Sequence, residues 1–282
     1  MSLIHRTVLA LAFAALMSPA AAEPVSGLKA HTHIHGLAID RNDPAYLLIA
    51  THHGLYRAGP DGNAELVSVV QDFMGFNPHP NDPNTLYASG HPVGGGNLGF
   101  IASSDGGKTW TEISLGANGP VDFHQMTVSP ADPDTVYGAY GNLQVSRDAG
   151  KTWEEVGPTP EKLIDLAASA KDPDIVYAAT ELGLLISLDA GKSWKALLEP
   201  APVTMVEVTA DGAVYAFVYG QGLAWAKEGT FNWSTAADDW GRQYILHLAV
   251  DPADPNRLFA ATGDGQVLAS ADQGQTWGPF GQ

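Results

Sequence analysis

The sequence predicts an all-β fold, closed into a six-bladed β-propeller, on three observations. A box reading Ser-x-Asp-x-Gly-x-Thr/Ser-Trp recurs at residues 103–110, 146–153, 187–194 and 270–277. Its aspartates, Asp105, Asp148, Asp189 and Asp272, lie 43, 41 and 83 positions apart, so the last interval is two periods with a decayed copy at residues 227–233 between them. Before each box runs the same prelude of an apolar strand, an Asp-Pro turn such as Asp132-Pro133-Asp134, and a second strand. A unit of about 41 residues with four short strands is a propeller blade.

The elements follow in order along the chain. Residues 1–22 have the basic, apolar and small-residue sequence of a secretory signal, with cleavage expected near Ala22 and the mature protein in the periplasm or outside the cell. Residues 23–34 form a leader, whose first part is expected to add an outer strand to the last blade. Residues 35–282 form one propeller domain, with first strands centred on Leu37, Met74, Met126, Leu166, Val206 and Leu248. Blades are expected to begin near residues 35, 72, 123, 163, 203 and 245, and six blades fit the count better than seven. In each box the Asp accepts backbone N–H bonds inside a tight hairpin, the Gly supplies a positive φ and the Trp packs between blades. The boxes are therefore architecture, and chemistry is sought where blades differ.

Composition narrows the function. With 14 basic and 31 acidic side chains the net charge is −17, which excludes nucleic acid and anionic membrane as partners and is compatible with cations. No segment after the leader is apolar and long enough to insert into a membrane. The chain has no cysteine, so neither disulfide nor lipid anchor is expected and core burial must hold the fold.

The blades differ mainly in histidine. The position two residues before the strand centre holds His35, Asp72, His124, Ile164, Thr204 and Leu246 in turn. The start of a first strand and the second-to-third connection lie at the same end of a blade, which brings His33, His35, His52, His91 and His124 to one face. Imidazoles from separate loops of a rigid frame suit zinc or copper. His53, Asp72, Met74 and Met126 are secondary candidates, the carboxylate for a divalent ion and the thioethers for Cu(I). His31 belongs to the leader, His79 to the opposite face, and His247 has the other strand parity and is expected to be buried.

The boxes resemble the Asp-box, or BNR, repeats of sialidases, sortilin-type domains and related propellers. The pieces His33-Ile34-His35-Gly36-Leu37, Ala50-Thr51-His52-His53-Gly54-Leu55, Ala88-Ser89-Gly90-His91-Pro92 and Asp122-Phe123-His124 resemble the signature of a subgroup of small bacterial exported Asp-box proteins labelled glycosyl hydrolase or sialidase-like. That resemblance implies that these histidines form the site. Sialidase chemistry itself needs three arginines around the substrate carboxylate, and of Arg41, Arg57, Arg147, Arg242 and Arg257 only Arg242 is placed to reach the histidine face.

The reading is an exported, non-enzymatic copper- or zinc-binding propeller, exchanging its ion with a periplasmic donor or acceptor protein or a membrane-complex partner. One alternative is an assembly scaffold with an exposed aromatic patch drawn from Tyr140, Tyr219, Trp225 and Trp240. A second is a glycoside hydrolase using Asp72, Glu181 or Asp264.

Overall fold

A computed structural model describes residues 22–198 and 200–282. The expected signal peptide, apart from Ala22, lies outside the described residues. Six antiparallel sheets follow one another along the chain, five of four strands and the first of five. Each begins with its innermost strand: Ile34–Ile39, Met74–Pro78, Gln125–Val128, Leu163–Ala168, Val203–Val208 and Ile245–Val250. Each innermost strand packs against the next, and Ile245–Val250 packs against Ile34–Ile39, so the ring is closed. The fold is a six-bladed β-propeller, with starts within two residues of those expected.

The repeated hairpin explains its own sequence. Asp105 Oδ1 accepts N–H bonds from Lys108 and Thr109 at 3.0 and 2.9 Å, and its Oδ2 accepts the Thr109 hydroxyl at 2.6 Å. These bonds hold the Asp105 carboxyl down at about 2, and Asp189 and Asp272 are held there by the same kind of bonds. The glycine serves twice. Gly150 has a φ of 81°, and a Cβ there would collide with the Phe100 ring of the preceding blade. Gly107, Gly191 and Gly274 meet Leu55, Leu143 and Leu223 of their preceding blades in the same way. Left-handed backbone also extends one residue earlier than expected, to Ala149, Ala190 and Gln273 at φ near 60°.

Ring closure differs from expectation. Glu23–Pro24 pairs with Asn63–Leu66, the outer strand of blade one rather than of the last blade. The following turn of helix, Val25–Leu28, buries Val25 and Leu28 in a core shared by blade one (Ile39, Ile49, Ala64) and blade six (Phe259, Val267). The leader therefore packs into the seam where first and last blades meet, joining apolar side chains of both.

Most innermost strands carry an irregularity at the same point. The register slips between Ile34 and Gly36, Leu163 and Asp165, Val203 and Met205, and Ile245 and His247, leaving residues 35, 164, 204 and 246 as the extra residue of a bulge. A bulge re-aims the side chain it carries. In blade one that residue is His35, which lines the central cavity of about 450 Å³ and its mouth.

Candidate metal centre

The structure brings the five primary histidines to one face, and it sorts them into two groups. In the first, the ligand nitrogens of His33, His35 and His52 lie within 4.8 Å of one another. His33 and His35 flank the start of the first strand, and His52 sits in the tight turn between Leu47–Thr51 and Gly54–Ala58. Thr51 holds that turn, its hydroxyl donating to the Gly54 carbonyl and accepting the His53 N–H. His35 Nε2 stands 3.1 Å from His52 Nε2. His52 Nδ1 lies 3.0 Å from Asp72 Oδ2, so Asp72 stands behind the ring while its Nε2 faces His35.

In the second group, His91, Asp122 and His124 converge within the same limit. Asp122 Oδ2 lies 3.0 Å from His91 Nε2 and 2.7 Å from His124 Nε2. His91 Nδ1 donates to the Gly96 carbonyl at 2.8 Å, within the long second-to-third connection of blade two. Gly90 admits this geometry: at φ 124° its missing Cβ leaves room for the Asp72 carbonyl, and the backbones of Asp72 and His91 exchange N–H bonds at 3.0 and 3.4 Å. The two groups are thereby tied through the backbone of blade two.

The electrostatic environments of the two groups differ. Burial, then the neighbouring His52, His247, His124 and His33, pushes His35 down to about 3, so its ring is neutral near pH 7. The hydrogen bond to Asp122 raises His124, with the Asp122 and Asp72 charges adding to it and burial opposing it. Asp72 Oδ1 and Asp122 Oδ1 are both buried without a hydrogen-bond partner. Uncompensated buried carboxylate oxygens are costly, and a cation is one group that satisfies them.

No protein-family model matches the chain. A probable oligoxyloglucan-reducing end-specific xyloglucanase of Neosartorya fischeri is 31% identical over 135 residues, 42% of this chain and 17% of the fungal protein. The corresponding enzyme of Emericella nidulans is 27% identical over the same length. The chain thus matches under a fifth of these curated relatives. Among solved structures, the GH74 enzyme of Niastella koreensis superposes with a TM-score of 0.61 at 17% identity, covering 88% of this chain and 45% of that one. YCF48 from Cyanidioschyzon merolae superposes at 0.52 and 16% identity, covering 88% and 84%. These likenesses show the β-propeller. They do not carry the sialidase-like subgroup suggested by the histidine motifs.

The remaining candidates are placed as follows. His53 joins neither group and stacks on His31, which contacts Glu23 at 2.9 Å. Met126 is buried in the core between blades two and three, while Met74, also buried, lines the mouth with His35 and His124. His79 accepts the N–H groups of Asn81 and Asp82 in a turn on the opposite face. His247 lines the channel, and burial lowers it to about 4 despite a hydrogen bond to the Ile34 backbone. Four arginines have structural work: Arg41 binds the His79 and Pro80 carbonyls, Arg57 Asp40, Arg147 Asp174 and Arg257 Asp251. Glu181 pairs with Lys162, and Asp264 accepts from Thr262 and Gln266. Tyr140 and Tyr219 are exposed on the histidine face, whereas Trp225 and Trp240 pack against the blade-five core.

Sequence reasoning missed Asp122 as a candidate ligand. Its signal was present: it stands two residues before His124 in the piece Asp122-Phe123-His124. Also missed were Asp165 and Glu207 of blades four and five, which line the channel and are raised by burial to about 7 and about 8, Glu207 further by Asp165.

Proposed function

We propose that this protein is an exported metal-binding propeller that holds copper or zinc through His33, His35, His52, His91 and His124, for storage or delivery rather than turnover. The observation that carries the reading is the gathering of the five imidazoles on one face in two close groups, beside two buried, unpartnered carboxylate oxygens. The His35–His52 separation of 3.1 Å fits a shared ion. A tetrahedral ion with nitrogen ligands at about 2.0–2.1 Å holds them roughly 3.3 Å apart. The test is metal content by mass spectrometry on protein purified from its own compartment. Near-stoichiometric copper or zinc is expected in the wild type, and its loss in a folded His35→Ala/His124→Ala variant. Equal metal in both proteins would sink the proposal.

A second reading, a surface for a protein partner, is favoured by one observation. The second-to-third turns of blades two to five carry Val93, Tyr140, Leu182 and Tyr219, exposed by 82, 45, 57 and 46% on the histidine face. Apolar tips around a metal site suit a partner that gives or takes the ion. Binding of a candidate donor protein that survives Tyr140→Ser/Tyr219→Ser unchanged would count against it.

A further inference from the structure

We infer that the histidine face binds two ions at chemically different positions: an all-imidazole position at His33, His35 and His52, open to Cu(I) or Zn2+, and a mixed nitrogen-oxygen position at His91, Asp122 and His124, selective for divalent ions. The inference rests on the metal-binding reading and deepens it.

Ligand chemistry separates the two positions. At the first, three imidazoles converge and the nearest carboxylate, Asp72, stands behind His52 on Nδ1 rather than among the ligand atoms. A carboxylate there fixes the tautomer and orientation of a ligating ring and makes its far nitrogen a better donor. Asp72 is a positioning residue. Three neutral nitrogens suit Cu(I) as well as Zn2+. At the second position one ligand is a carboxylate oxygen, which favours a harder, divalent ion and offers little to Cu(I).

Hydrogen-bond accounting shows why the second position wants an occupant of its own. His91 commits Nδ1 to the Gly96 carbonyl, so in the neutral ring Nε2 is bare. That bare nitrogen faces Asp122 Oδ2 at 3.0 Å, an acceptor against an acceptor, while His124 reaches the same oxygen at 2.7 Å. The other carboxylate oxygen is buried and unpartnered, in a residue only 6% exposed. A proton on His91 relieves the first contact and leaves the second oxygen unsatisfied. A divalent ion among the two Nε2 atoms and the carboxylate serves all of them.

The experiment is titration of the metal-free, full mature chain with Zn2+ and, anaerobically, with Cu(I), read by native mass spectrometry and chelator competition. Two Zn2+ and one Cu(I) per chain are expected. His91→Ala/His124→Ala, and independently Asp122→Asn, should lose one Zn2+ and keep the Cu(I). His33→Ala/His52→Ala should lose the Cu(I) and keep one Zn2+, and Asp72→Asn should weaken that position about 10–100-fold. Circular dichroism establishes that each variant is folded, and Asp122→Asn gives a near-isosteric second probe should the double alanine variant unfold. One Zn2+ per chain, abolished by either pair of substitutions, would mean a single shared site and overturn the inference while leaving metal binding intact. Two Cu(I) of equal affinity would overturn it as well. No binding to the wild type would overturn the proposed function itself.

Discussion

Gly90 shows how much of the site depends on one backbone position. Its φ of 124° and the Asp72 carbonyl against its missing Cβ leave no room for a side chain. Gly90→Ala is expected to separate the Asp72 and His91 segments and shift both histidine groups at once. Backbone strain of this kind costs about 1–3 kcal/mol. The expected outcome is a lower unfolding midpoint together with at least a tenfold loss of Zn2+ affinity, measured on the same preparation. Stability loss with unchanged affinity would show that the two groups do not depend on this crossing. At the same scale, His35 was recognisable as unusual because its blade departs from the others, but its neutral state near pH 7 comes from burial among four other histidines.

At the scale of the element, the box hairpins link pH to stability. Asp105, Asp189 and Asp272 have folded values of about 2, below the ordinary carboxylate range. For a depressed acid the stabilisation is present above the unfolded value near 4 and is lost as pH falls through the folded one. Stability should therefore drop between about pH 4 and pH 2. Asp189→Asn/Asp272→Asn should flatten that limb, by up to about one proton per aspartate removed, in denaturant titrations at a series of pH values. His35 and His247, lowered to about 3 and 4, lose stability from about pH 6.5 downward and are mostly spent by pH 3, so they add to the upper part of the limb and are common to both proteins. An unchanged limb in the variant would remove the hairpins as its cause. The hairpins themselves were legible in sequence, since Ser, Asp, Gly, Thr and Trp each answer a local need that neighbouring residues meet.

At the scale of the molecule, the leader is the element whose role depends on distant partners. Val25 and Leu28 fill the seam between blades one and six. Each fully buried Val or Leu side chain contributes about 1.5–3 kcal/mol. Deleting residues through Ala30 is expected to lower the thermal midpoint, on the order of 10 °C for a domain of this size. A truncated chain with an unaltered midpoint would show that the seam closes without the leader. Arg257, which binds both Asp251 and the Pro44 carbonyl, bridges the same two blades at the opposite face.

The sequence by itself determined the blade count, the blade boundaries and the face on which the histidines gather, because a period of about 41 residues and strand alternation are local properties that repeat. Tertiary structure decided the rest. It split five histidines into two groups, since loop His52 and loop His91 fold toward different partners. It added Asp122 to the second group, and it moved the leader strand from blade six to blade one. Bulges in the innermost strands re-aimed residues that simple alternation had assigned. Which nitrogen carries a proton, which oxygen lies buried and which apolar seam needs a cover all depend on what another blade places opposite, and no single blade records that.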